Sequence, residues 1–391
     1  MRSYRYLIVG GGMTADAAVS GIRQLDGEGT IGLISAEHHP PYNRPPLSKG
    51  LWKGKPLEKV YRRASREGVD LHLGRRIQAI NPDTHQASDQ VGETIIYDKL
   101  LLATGGSPRR LPFGGDKVIY FRTLDDYFHL HQLVEQGGRF GVIGGGFIGS
   151  EIAAILAEKG QPVTMLFQEE DISARLLPPD LARFVTDYYR GRNVEVLTGE
   201  LVGGIQEQGQ EMVIQTKSGK EIRVDSIIAG LGIKPDTDLA EAAGIRVADG
   251  IVVDETLRTS HPDIYAAGDV AYFNNQLLHK WMRVEHEDNA LSMGRTAGRN
   301  MAGDQARYDH LPMFYSDIFD LGYEAVGELD PTLETYSDWQ ESYRKGVVYY
   351  LDAGRVRGVL LWNVWDQVEA ARNLIANPGP FKPEDLSGQI L

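Results

Sequence analysis

The stretch Arg139 to Gly160, RFGVIGGGFIGSEIAAILAEKG, decides how this chain folds. It opens with an apolar run, Phe140 to Ile143, that reads as a buried strand. Gly144, Gly146 and Gly149 follow, and then a helix rich in Ala, Ile, Leu and Glu. Glycines at that spacing let the chain turn tightly, let its backbone approach a pyrophosphate, and let helix and strand pack closely. The phosphates would sit at the helix start, where free N–H groups and the helix dipole favour negative charge. A glycine-rich turn alone would look similar. Here a strand precedes it, a helix follows, and Glu169 lies about 20 residues past Gly149, where a ribose-binding acid belongs.

The same grammar appears earlier in the chain. Tyr6 to Val9 is an apolar strand, Gly10, Gly12 and Ala15 form a second fingerprint, and a helix runs to about Arg23. A strand over Thr30 to Ser35 then leads to Glu37, about 22 residues past Ala15 and again placed for a ribose hydroxyl. A plain βαβ unit without a ligand would not need two fingerprints, each with its acid. Next comes PPYNRPPLSKGLW, Pro40 to Trp52, whose prolines exclude a central strand or helix interior and predict a stiff, extended loop. It carries Arg44 and Lys49, cations suited to a pyrophosphate or an electron-rich ring.

Farther on, Asp70 to Asn81 and Gln86 to Tyr97 alternate like a small antiparallel element, and Tyr97 to Ala103 reads as a parallel strand ending in Thr104-Gly105-Gly106-Ser107-Pro108. Asp225 to Gly232 mirrors it, running into Gly-Leu-Gly-Ile-Lys-Pro. That symmetry predicts two similar domains. Ile264 to Asp269 is a short apolar strand delivering an acid at its carboxyl end, where doubly wound sheets bind ligands. Val284 to Met301 reads as a helix with Glu285 and His286 at its start. From Pro312 the pattern changes to strands, Tyr315 to Leu329, Lys345 to Tyr350 and Val356 to Trp362, closed by a helix over Trp365 to Ile375. The expected fold is α/β: two doubly wound Rossmann-like domains and a C-terminal α+β domain. The first would comprise residues 1–107 and 245–311, the second 108–244 and the third 312–391.

Composition limits the chemistry. A chain of 391 residues is long enough for two or three sizeable cores. A formal charge of −13 argues against general binding to nucleic acid or to an anionic membrane. Basic pairs such as Arg62 and Arg63 read as solvated surface. The chain has no cysteine, so it has no redox-active disulfide, thiolate nucleophile, iron–sulfur cluster or zinc–thiolate site of its own. Apart from the adjacent His38 and His39, its histidines show no metal-ligand spacing, and no metal is expected. Tyr4 to Gly12 runs from a strand into a glycine turn, which does not read as a signal peptide. No apolar run reaches the roughly 18 residues needed to span a membrane. Cytoplasm is the default compartment.

PYNRPPLSK, the two fingerprints, ATGGSP, AGLGIKP, IYAAGD and VEHEDNA together resemble the flavoproteins with two dinucleotide-binding domains, in their ferredoxin-reductase-like branch. Within it, VEHEDNALSMGRTAGRNM, DLGYEAVGELD and KGVVYYLDAGRVRGVLLWN are most similar to the apoptosis-inducing-factor family. The resemblance implies FAD bound by Gly10, Gly12, Ala15, Glu37, Arg44, Lys49 and Asp269, with Thr104 and Gly105 among the contacts. NADH would bind at Gly144, Gly146, Gly149, Glu169 and Gly232, with Phe147 against the nicotinamide. Lys49 and Glu151 would pair near flavin N5, and Glu285 and His286 would lie by the ring. Lys49, Glu151, Phe147 and His286 are thus the candidate catalytic residues. The family's DNA-binding side is not carried over, and the acidic charge agrees.

The resemblance implies hydride transfer from nicotinamide to flavin, with Lys49 stabilising negative charge on the ring and Glu151 aiming it. Glu169 and Glu170 should repel a 2′-phosphate, favouring NADH over NADPH, although Arg175 nearby could offset them. The outgoing acceptor is open: a ferredoxin or rubredoxin, or a small oxidant such as a quinone. A different class is also open, an NADH-responsive redox switch with slow turnover. In that reading a long-lived flavin–nicotinamide charge-transfer complex would change homodimerisation.

Overall fold

A computed structural model describes residues 2–63 and 68–390, which form two compact units. The first unit comprises Met1–Pro45, Lys55–Ser107 and Lys234–Pro312. The second comprises Pro46–Gly54, Pro108–Ile233 and Met313–Leu391.

The first unit is built around a parallel sheet. The strand Arg2–Val9 lies between Ile31–Ile34 and Thr94–Leu102, with Val69–His72 beyond the former. Ile264–Ala266 adds to the other side of Thr94–Leu102, in register with Leu100 to Leu102. These are near-continuous apolar runs because both faces of a parallel sheet are covered. Leu7, Ile8, Leu33 and Leu100 are 0% exposed, and each such side chain stabilises the fold by about 1.5–3 kcal/mol relative to exposure. The helices Met13–Arg23 and Glu287–Met301 pack on one another. Of the antiparallel element expected over Asp70 to Asn81 and Gln86 to Tyr97, Ile77–Asn81 and Gln86–Asp89 form it and pair with the first residues of Thr94–Leu102, whereas Asp70 to His72 lie in the parallel strand Val69–His72. Arg62 is not simply solvated, since it donates to the buried Asp16 at 2.6 Å.

The second unit repeats the parallel plan in the order Val194–Leu197, Val163–Leu166, Phe140–Ile143, Ser226–Ala229, Val118–Ile119. A three-stranded antiparallel sheet, Val202–Gln208, Glu211–Thr216 and Glu221–Val224, joins it. The C-terminal part is a five-stranded antiparallel sheet in the order Met313–Ile318, Leu321–Gly327, Arg355–Trp362, Lys345–Asp352, Glu334–Glu341, backed by the helix Val368–Ala376. Aromatic rings fill its core, with Tyr323 stacked on Trp362 at 5.7 Å.

Two further readings change. Within Pro40 to Trp52 the chain is not extended from Pro45 onward, because it coils there into short 3-10 turns at Pro45–Ser48 and Gly50–Lys53. Proline fixes a φ that suits the start of such turns as well as extended chain. The strand Glu334–Glu341 was not foreseen. It is an edge strand with no fully buried residue, so its sequence carries no apolar alternation.

Candidate active site

In the first unit, Arg2–Val9 delivers the chain to Gly10, whose φ is +129°, and a Cβ there would lie 2.0 Å from the carbonyl oxygen of Ala103. Only glycine allows the turn to pass so close to the neighbouring strand exit. Gly12 caps the helix Met13–Arg23 without any side-chain hydrogen bond, and Ala15 is fully buried beneath it. A Cβ at Gly12 would meet nothing within 4 Å. The helix start is therefore uncrowded at Gly12, as the close approach of a pyrophosphate requires.

Other candidate residues gather in the same unit. Glu37 accepts from the Tyr42 hydroxyl at 2.6 Å and from Arg44 Nη2 at 2.5 Å, and Arg44 Nη1 donates to the Tyr42 oxygen at 3.1 Å. Burial opposes the charge of Arg44, but Tyr42, Glu37 and Asp269 outweigh it and raise the pKa. Asp269 lies in the turn Gly268–Val270, directly after Ile264–Ala266. Arg283 donates to the Asp269 carbonyl at 3.1 Å and to Glu285 Oε1 at 2.6 Å. His286 caps the helix Glu287–Met301, and burial pushes its ring down to about 4 against the pull of Asp269 and Asp288. Thr104 and Gly105 are engaged by the returning chain, Thr104 Oγ1 donating to the Asp236 carbonyl at 2.8 Å and the Gly105 carbonyl accepting from Asp236 N–H at 3.0 Å.

The second unit holds the second cradle. Gly144 has φ +115°, and a Cβ there would lie 2.4 Å from the Gly230 carbonyl oxygen. At Gly149 a Cβ would come within 2.0 Å of the Gly144 carbonyl, which is the close helix–strand packing the fingerprint predicts. Gly146 caps the helix Phe147–Glu158 with no side-chain bond and nothing within 4 Å of a Cβ, so this helix start is open too. Phe147 meets Phe314 edge-on at 5.4 Å. Glu169 bonds Arg175 Nη2 at 2.5 Å, and its carbonyl accepts from Gly199 N–H at 3.0 Å. Gly232 holds φ +76°, and its carbonyl accepts from Arg109 N–H at 2.9 Å.

Lys49 belongs to this second unit through the segment Pro46–Gly54, whereas the other residues expected on FAD belong to the first. Its ammonium is ion-paired with Oε1 of Glu151. The lysine side chain is 13% exposed and the glutamate 5%. Ser48 Oγ donates to Glu151 Oε2 at 2.6 Å and Ser316 Oγ to Oε1 at 2.6 Å, so the carboxylate takes donors from three directions. The Tyr315 ring centroid lies 5.4 Å from Lys49 Nζ. Sequence reading missed Tyr42, Ser48, Phe314, Tyr315 and Ser316. Tyr42 and Ser48 stand inside the proline-rich motif. Ser316 offers one weak signal, a hydroxyl on the buried face shared by Phe314 and Ile318.

Among the described residues, no group of three or more His, Cys, Asp or Glu could hold a metal ion, and no helix is long and apolar enough to cross a membrane.

Comparison with known proteins follows the same lines. The family model for pyridine nucleotide-disulphide oxidoreductases matches residues 4–294. The model for the C-terminal region of mitochondrion-associated apoptosis-inducing factor matches 297–341 and 336–377. The chain is 32% identical to putidaredoxin reductase CamA of Pseudomonas putida, over 98% of this chain and 94% of that protein. It is 32% identical to apoptosis-inducing factor 1, mitochondrial, of Dictyostelium discoideum, over 96% of this chain and 79% of that protein. Among solved structures it superposes on a chain of the covalent putidaredoxin reductase–putidaredoxin complex with a TM-score of 0.92 at 31% identity, covering 99% of this chain and 96% of that one.

Proposed function

The chain belongs to the pyridine nucleotide-disulphide oxidoreductase family and is an FAD-dependent NAD(P)H oxidoreductase, and we propose that it passes electrons from NADH to a ferredoxin- or rubredoxin-type protein. The observation that carries this reading is the pair of open, glycine-capped helix starts at Gly12 and Gly146, one in each unit. FAD, when bound, supplies the hydride acceptor and the one-electron donor. A sequence without cysteine has no thiol route for those electrons, so a disulfide relay is not part of the proposal.

In this reading residues 1–107 and 245–311 carry FAD, 108–244 carry NADH, and 312–391 form the C-terminal domain. Gly10, Gly12 and Ala15 open the first cradle, and Glu37, Arg44, Asp269, Glu285 and His286 hold FAD, with Thr104 and Gly105 beside them. Gly144, Gly146 and Gly149 open the second, Phe147 and Gly232 flank the nicotinamide, and Glu169 takes a ribose hydroxyl. Glu151 pairs with the Lys49 ammonium and aims it, and a cation there favours the reduced ring. A buried ion pair adds little to stability, which supports a functional reason for this one. The neutral His286 leaves Lys49 and Arg44 as the cations of the set. We place the protein in the cytoplasm.

The match to the apoptosis-inducing-factor C-terminal region favours a second reading, an NADH-responsive switch that turns over slowly and changes its homodimerisation. One experiment separates them. Titrate the flavin-loaded protein anaerobically with NADH, then add a ferredoxin or oxygen. Bleaching followed by prompt recovery with ferredoxin supports the reductase. Bleaching that persists in air, with a change in mass, supports the switch. Absence of flavin that cannot be restored overturns both.

A further inference from the structure

Glu151, the partner of Lys49, also accepts a hydrogen bond from a residue 165 positions away in the sequence. The last torsion of a glutamate is soft, so a carboxylate keeps one orientation only if both oxygens are held. Ser48 holds Oε2 and Ser316 holds Oε1, each at 2.6 Å, and Oε1 is also the oxygen paired with Lys49. Ser48 is next to Lys49 in the chain, so it cannot fix the pair against an outside reference. Ser316 can, because it sits on the strand Met313–Ile318 of the C-terminal sheet. There it is 2% exposed and flanked on its own face by Phe314 and Ile318. A hydroxyl buried in such a face costs stability unless it is hydrogen-bonded, and this one donates to Glu151. The neighbouring residues on this strand touch the same machinery, Phe314 against Phe147 and Tyr315 against Lys49.

We propose that Ser316 is a positioning residue for hydride transfer: by holding Oε1 of Glu151 it sets the direction of the Lys49 ammonium. The proposal rests on the reductase reading above for its kinetic consequence, but not for its structural one.

The test uses the full, flavin-loaded chain with S316A and S316T. Lys49 acetylation by acetic anhydride is followed by mass spectrometry, with the exposed Lys53 and Lys55 as internal references. Losing one charge-assisted hydrogen bond should raise Lys49 labelling several-fold relative to both references. It should slow flavin reduction at saturating NADH about ten-fold, with the NADH dissociation constant unchanged. S316T, which retains the hydroxyl, should restore both. Wild-type labelling in S316A would overturn the proposal, as would an effect that S316T shares, since that assigns it to packing. If the wild-type flavin does not accept electrons from NADH, the functional reading fails, while the labelling still decides whether Ser316 aims Lys49.

Discussion

Replacing Gly146 with alanine separates ligand binding from folding. Its φ is −85°, which any residue adopts, and a Cβ would meet no protein atom within 4 Å. The cost to the fold is that of a glycine helix cap exchanged for alanine, about 0.5–1 kcal/mol, so the melting temperature should fall by no more than about 3 °C. The added methyl instead enters the space where a dinucleotide backbone would pass. Forcing a methyl into a packed contact costs about 1–3 kcal/mol, roughly a 5- to 150-fold weakening at 1.4 kcal/mol per decade. Stopped-flow flavin reduction against NADH concentration reads that change, while the ratio of flavin to protein absorbance should stay at the wild-type value. Gly12→Ala should do the reverse, lowering flavin content in an equally folded chain. Gly144→Ala is the contrasting control, since its φ of +115° and the Gly230 carbonyl make it a folding defect. Wild-type NADH binding by G146A, or flavin loss in its place, would refute the assignment of the two cradles.

Glu151→Gln leaves a cation that is only 13% exposed without its counter-charge. It should destabilise the protein by about 3 kcal/mol, the low end for a broken buried pair, and should slow flavin reduction as Lys49→Ala does. An unchanged reduction rate in both would remove Lys49 from the mechanism. Glu169→Ala should weaken NADH binding about ten-fold by removing one charge-assisted hydrogen bond, and should narrow the preference over NADPH as Arg175 is released. A fixed ratio of the two KM values would contradict the ribose assignment. His286 falls from 6.5 to about 4 on folding, so the folded state prefers the neutral ring. The resulting stability is fully present above pH 6.5 and is lost as pH falls toward 4. The wild-type melting temperature should therefore fall relative to that of His286→Gln as pH drops from 6.5 toward 4, with a constant difference above pH 6.5, and curves parallel over the whole range would contradict this.

Where one segment carries its own signal, sequence and structure agree. The two fingerprints, the strands before them and the helices after them are local patterns. So is the C-terminal run of strands. The alternation over Tyr315 to Leu329 resolves into a hairpin, Met313–Ile318 and Leu321–Gly327, turned at Phe319 with φ +56°. Glu37 and Arg44 were both singled out in the sequence, but their mutual bond, and the Tyr42 hydroxyl between them, were not, since separations of five and seven residues in a loop have no period. Ser316 was hidden for a stronger reason. Its acceptor arrives from another part of the chain, and a single serine among apolar residues is usual in an edge strand. Spacing shows what a segment can do, whereas a site assembled from three segments is set by tertiary packing.

The late strand Ile264–Ala266 has a consequence for synthesis. Leu100 to Leu102 leave the ribosome about 160 residues before the strand that pairs with them. At 5–20 residues per second that interval lasts roughly 8 to 32 seconds. For that time an apolar backbone edge of the nascent sheet has no native neighbour, while the chain for the second nucleotide-fold sheet emerges. Edges of that kind recruit foreign strands. Slow translation or heat should therefore act on this protein through newly made chains, before any mature molecule unfolds.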